Sequence, residues 1–139
     1  MAQSVRDVMT ANPIAMPATA SVVDAARAMR DSNIGNVIVL DNGQICGIVT
    51  DRDITVRGVA EGRDISQLKL ADVCSREVTT LSPTDSVDDA VRLMREKAIR
   101  RVPVVEGGKP VGIVSLGDLA LEKDPGSALG DISGAPPNR

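Results

Sequence analysis

Apolar residues at Val22, Ala25, Ala26 and Met29 recur at the spacing of one helical face. Ser21 stands before them as an N-cap residue, and Asp24 follows three positions on, a capping-box pattern in its Asp form. The same pattern returns at Ser86, Val87, Asp89, Ala90, Val91 and Met94. After each helix the period shortens to that of strands. Asn36–Leu40 and Gln44–Val49 are the first pair, and Val102–Val105 with Pro110–Val114 the second. Asp41-Asn42-Gly43 and Glu106-Gly107-Gly108 supply hairpin turn chemistry between them. A short polar turn-helix (4–10, 67–75) and a brief extended piece (13–16, 78–81) precede each unit. A further helix opens at Thr50 or Ser115. Each unit therefore reads β-α-β-β-α, an α/β (α+β) arrangement.

The two units are copies. Shifted by 65 positions, the chain matches itself without a gap over about 50 residues. Asp7-Val8 falls on Asp72-Val73, Met29-Arg30 on Met94-Arg95, and Gly47-Ile48-Val49 on Gly112-Ile113-Val114. The expected layout is repeat 1 at 1–58, a connector at 59–69, repeat 2 at 70–122 and a Gly/Pro-rich tail at 123–139. Ala128, Leu129 and Ile132 are the tail residues able to dock on the body. Each copy is too small to bury a large core alone, so the two are expected to fold face to face.

Composition narrows the chemistry. The 139 residues include no Phe, Tyr, Trp or His. The core must come from Val, Ile, Leu, Ala and Met, and the usual general base near neutral pH is missing. With no nucleophile–base pair either, the chain is not expected to be an enzyme. A net charge of −3 argues against a nucleic-acid partner. No apolar run approaches the ~18 residues that span a bilayer, and the opening MAQSVRDVMT lacks a signal-peptide core, so the expected setting is cytoplasmic and off the membrane. Cys46 and Cys74 match Val111 and Met9 in the sister copy, which reads as small buried hydrophobes rather than a disulfide. Asp51 and Asp53 could sit beside a cation, but such pairs more often start a helix, and no metal site is expected.

Asp-Val-Met at 7–9, the paired Ser-x-x-Asp-Ala helix starts, Ile-Arg-Arg-Val-Pro-Val-Val at 99–105 and the two Gly-Ile-Val-(Thr/Ser)-x-x-Asp stretches carry a family resemblance. The pattern resembles a tandem CBS (cystathionine-beta-synthase) domain pair, a Bateman module, over about residues 1–122. It is similar to the small stand-alone CBS proteins of the hypoxic-response type. The resemblance implies two repeats related by a pseudo-twofold axis, clefts between them that take AMP-, ADP- or ATP-like ligands, and homodimerisation. No permanent cofactor is implied.

Thr50-x-x-Asp53 and Ser115-x-x-Asp118 support two readings. One is a capping box at a helix start. The other, implied by the resemblance, is ribose recognition, the carboxylate accepting from both hydroxyls of a cis-diol while the hydroxyl caps. Arg100 and Arg101 are solvated charges at a strand start or, by the resemblance, a guanidinium fork for phosphate, with Arg52 assisting in the first copy. Their counterparts Gly35 and Asn36 are uncharged, so the two sites should differ. A base would lie between aliphatic walls, Ile14, Ile34 and Val37 in one site and Leu81, Ile99 and Val102 in the other. The leading expectation is a ligand-sensing regulatory module acting on a partner protein the sequence does not name, in a setting of stress. The alternative is a ligand-free structural or interaction module.

Overall fold

The computed structural model describes residues 4–75 and 78–123. The chain divides into two compact units. One is the contiguous stretch Pro13–Val78; the other joins the segment ending at Asn12 to the one beginning at Thr79. The expected tail, with Ala128, Leu129 and Ile132, lies outside the described residues.

The contiguous unit opens with β2 (Ala15–Pro17), following α1 (Val5–Val8) and β1 (Thr10–Ala11), which belong to the other unit. Next come α2 (Val22–Ser32), β3 (Asn36–Asp41) and β4 (Gln44–Thr50). β2 pairs in parallel with β3, and β3 pairs antiparallel with β4. The turn between them is two residues, Asn42 and Gly43, with φ of 53° and 79°. Positive φ at both central positions matches the right-handed strand twist, which is why Asn-Gly closes it. The first helical turn, α3 (Asp51–Asp53), widens into a π turn over Ile54–Val59, where the Ala60 N–H reaches the Thr55 carbonyl at 2.8 Å. A 3₁₀ turn (Ile65–Gln67) leads to α4 (Leu70–Val73).

The second unit repeats the plan with α5 (Val87–Lys97), β5 (Arg101–Glu106), β6 (Lys109–Ser115) and α6 (Leu116–Lys123). Its sheet has the order β1-β6-β5. Gly107 and Gly108 close its hairpin with φ of 61° and 81°. Here the last helix is regular, so the two copies diverge at this point. In the π turn Gly58 is buried against Ile65 and Leu68, and Arg57 reaches the Val73 and Cys74 carbonyls (3.4 and 3.2 Å).

Ser21 and Ser86 do cap their helices, accepting from the Asp24 and Asp89 N–H groups at 3.0 Å. The carboxylate half of the expected box is missing at both. Asp24 turns instead toward Arg27 (3.7 Å) and Asp89 toward Arg92 (3.2 Å), one turn along the exposed face. The helices end at equivalent residues in the left-handed region, Asn33 (φ 55°, ψ 49°) and Ala98 (φ 54°, ψ 42°). Asn tolerates this conformation, whereas Ala meets its own Cβ there. Ala98→Gly is therefore expected to raise stability by up to about 1 kcal/mol, read as a higher denaturant midpoint at constant slope.

The repeats exchange their leading segments. The Val5 N–H donates to the Asp85 carbonyl (2.8 Å) and the Arg6 N–H to Pro83 (3.0 Å). The corresponding Leu70 N–H donates to Ala20 (2.9 Å) and the Ala71 N–H to Ala18 (3.1 Å). Thr10 pairs with Ile113, and its sister Ser75 pairs with Ile48. Each segment thus completes the sheet that the other copy supplies.

Most of the described buried apolar residues fall into two clusters, one per unit. Val22, Ala25, Met29, Val37, Val39, Val49, Leu70 and Val73 lead one. Val5, Leu81, Val87, Ala90, Met94, Val102, Val104 and Val114 lead the other. Each cluster is completed from the sister copy's leading segment, the first by Leu70, Val73 and Cys74, the second by Val5 with Val8 and Met9 packed against it. Neither cysteine forms a disulfide; Cys74 is buried and Cys46 half-buried, both against the first cluster.

Candidate functional site

Two equivalent sites were expected around Thr50–Asp53 and Ser115–Asp118. At both, the full capping box is present. The Thr50 N–H donates to Asp53 Oδ2 (2.9 Å) while Thr50 Oγ1 accepts from the Asp53 N–H (3.1 Å). The Ser115 N–H donates to Asp118 Oδ2 (2.9 Å), and Ser115 Oγ accepts from the Asp118 N–H (3.1 Å). The carboxylates thus take part in the boxes through one oxygen each. Oδ2 holds the helix start. Among the described residues nothing bonds Oδ1, which keeps its acceptor capacity.

Neighbouring backbone fixes these helix starts. The Asp51 N–H donates to the Gly35 carbonyl (3.1 Å), and the Leu116 N–H to the Arg100 carbonyl (2.8 Å). These carbonyls lie at the start of β3 and β5, just after the left-handed residues Asn33 and Ala98. The turn at Ala98 thus sets the positions of Ile99, Arg100 and Arg101 relative to Asp118. Strand register then puts Arg101 opposite Ser115, and Asn36 opposite Thr50. The backbone ties were not legible in side-chain pattern; only the equal offset between the two copies could have suggested them.

The charged groups differ as expected. Arg100 is exposed and Arg101 half-buried, and no ion pair holds either guanidinium among the described residues. The first copy offers Asn36, exposed Arg52 and two carboxylates, Asp51 and Asp53. Counting Asp51, Arg52 and Asp53 gives −1, whereas Arg100, Arg101 and Asp118 give +1.

The expected base walls are only partly available. Val37 and Val102 have no exposed surface and Leu81 only 5%. Strand alternation turns Val37 and Val39, like Val102 and Val104, into the clusters beneath α2 and α5. Leu81 is held by a parallel bridge to Val104. These three side chains belong to the cores. Ile14, Ile34 and Ile99 remain half-buried beside the helix starts and keep accessible surface. The backbone of Ile14 is tied to β3, its carbonyl accepting from the Ile38 N–H (2.9 Å). Among the described residues, no three His, Cys, Asp or Glu side chains come together as a metal site would need, and no helix is long and apolar enough to cross a membrane.

A repeated β-α-β-β-α unit with a hydroxyl–carboxylate box after its last strand defines a tandem regulatory domain. The chain belongs to the CBS-domain family: the family's profile matches residues 5–58 and again 70–123. It is 40% identical over 134 residues to the CBS domain-containing protein YhcV of Bacillus subtilis, covering 94% of this chain and 95% of that one. It is 30% identical over 116 residues to Hypoxic response protein 1 of Mycobacterium tuberculosis, covering 83% and 81%. Among solved structures it is similar to the CBS domain pair of protein MJ0100 in complex with 5′-methylthioadenosine and S-adenosyl-L-methionine, with a TM-score of 0.77, 27% identity, and 86% and 94% coverage.

Proposed function

We propose that this CBS pair binds an adenosine-containing ligand and passes the event to a partner protein, or to a second copy, through a change in conformation or assembly. The observation that carries the reading is the second copy's site, where Arg101 stands opposite Ser115 and, among the described residues, neither the Arg101 guanidinium nor Asp118 Oδ1 has a partner. A ribose hydroxyl can donate to Oδ1 without breaking the box, and phosphate suits the Arg100–Arg101 pair. Half-buried Ile99 supplies apolar surface for the base. The adenosine compounds bound by the MJ0100 pair support this ligand class, and the likeness to a hypoxic response protein supports a stress-linked setting. Ligand binding shifts the module only by its differential affinity for the two states.

Thermal unfolding followed by circular dichroism tests it, with AMP, ADP, ATP, NAD or S-adenosylmethionine added. A ligand at 100 times its dissociation constant is expected to stabilise the chain by about 2.7 kcal/mol. Asp118→Ala should lose that increment. Ser86→Ala, which removes a cap outside the site, should keep it. A folded wild type that no adenosine compound stabilises would leave the interaction-module reading in its place.

A further inference from the structure

The junction between the two units is strained on one side. Asn12, the last residue before the contiguous unit, has φ of 56° and is followed by Pro13. Asn tolerates the positive φ itself, but proline drives the residue before it toward extended backbone with negative φ, so the neighbour opposes this conformation. The strained residue holds the leading segment on its own chain's second unit. That segment docks through α1 and β1: Val5 is fully buried, Thr10 and Ala11 pair with Ile113 and Gly112, and Arg6 meets Glu106 at 2.9 Å.

We propose that residues 4–11 exchange between two copies of this chain, each copy's α1 and β1 completing the second unit of the other. All the docking contacts just named are kept in the exchanged form. What changes is the backbone at Asn12, which is released to extended φ. Strained hinges of this kind favour exchange of identical elements. The sister segment at α4 is a poorer candidate. Its flanking residues Lys69 and Cys74 already lie in ordinary extended backbone, so no left-handed residue would be released there. The proposal does not depend on the ligand reading above.

The test uses the full chain, refolded from denaturant at high protein concentration and sized by light scattering. Asn12→Gly removes the strain and is expected to weaken the dimer about tenfold; Asn12→Val, a β-branched residue at positive φ, is expected to strengthen it by a similar factor. Thr10→Cys with Ile113→Cys, in a Cys46→Ala and Cys74→Ala background, reports which chain supplies the strand. Register partners lie within disulfide reach. Exchange gives cross-linked bands at twice the chain mass on a denaturing non-reducing gel. Cross-links confined to single chains, including in a dimer held by some other face, overturn the proposal. So does a dimer fraction unmoved by both Asn12 substitutions, which leave the cross-linking positions untouched.

Discussion

Leu70→Ala is expected to cost about 2–5 kcal/mol, the range for deleting a wholly buried leucine that its surroundings cannot replace. Leu70 is in α4, a helix of only four residues. So short a helix has almost no stability of its own, and its position depends on packing. Its N–H is committed to the Ala20 carbonyl, which fixes the backbone and limits collapse into the space left behind. At this chain length each kcal/mol moves the melting temperature by about 3–5 °C, so the loss should be plain in a thermal scan. Amide exchange should show the damage concentrated in 13–78, the unit that α4 completes. Uniform loosening of both units would mean that the repeats do not hold separate clusters.

Gly47→Ala is expected to be the other severe substitution, by about 1–3 kcal/mol or somewhat more. A Cβ at Gly47 would lie 2.6 Å from the Ser75 carbonyl oxygen and 3.2 Å from Cys74 Sγ. The first obstacle is backbone and cannot rotate away. Its sister Gly112 meets chiefly the Met9 thioether, the free end of an adaptable side chain, with the Thr10 carbonyl at 3.0 Å. Gly112→Ala should therefore cost clearly less. Denaturant midpoints for the two variants, compared at equal slope, check the order. An equal cost would show that Met9 is as immovable as a carbonyl.

The glycine of the doubled Gly-Ile-Val phrase illustrates where sequence reading stopped. Hairpins, helix caps and the box at Thr50 or Ser115 are local, and residue type with spacing was enough to place them. The need for glycine comes from a chain segment of the other repeat crossing the strand, and no periodicity within a repeat records that. For the same reason the repeats run 1–58 and 70–122 in sequence, close to the profile matches at 5–58 and 70–123, while the compact units divide at 12/13 and 78/79. Arg101 beside Ser115 was half legible: the side chains were named, but their opposition depends on strand register. Val37, Val102 and Leu81 read as ligand walls because they are aliphatic and near the boxes in sequence. Strand alternation and the Val104 bridge spend them on the cores instead, leaving half-buried Ile14, Ile34 and Ile99 with accessible surface.

The crossing of leading segments also sets an order of events during synthesis. Residues 13–78 are contiguous, so that unit can complete itself once Val78 has left the ribosome. Thr10 and Ala11 emerge before that unit, yet their strand partners Ile113 and Gly112 are made about a hundred residues later. Through that interval the leading segment, with Val5 on its apolar side, lacks the unit that buries it. On a polysome, where several copies at different stages lie close together, the first finished β6 it meets need not be its own.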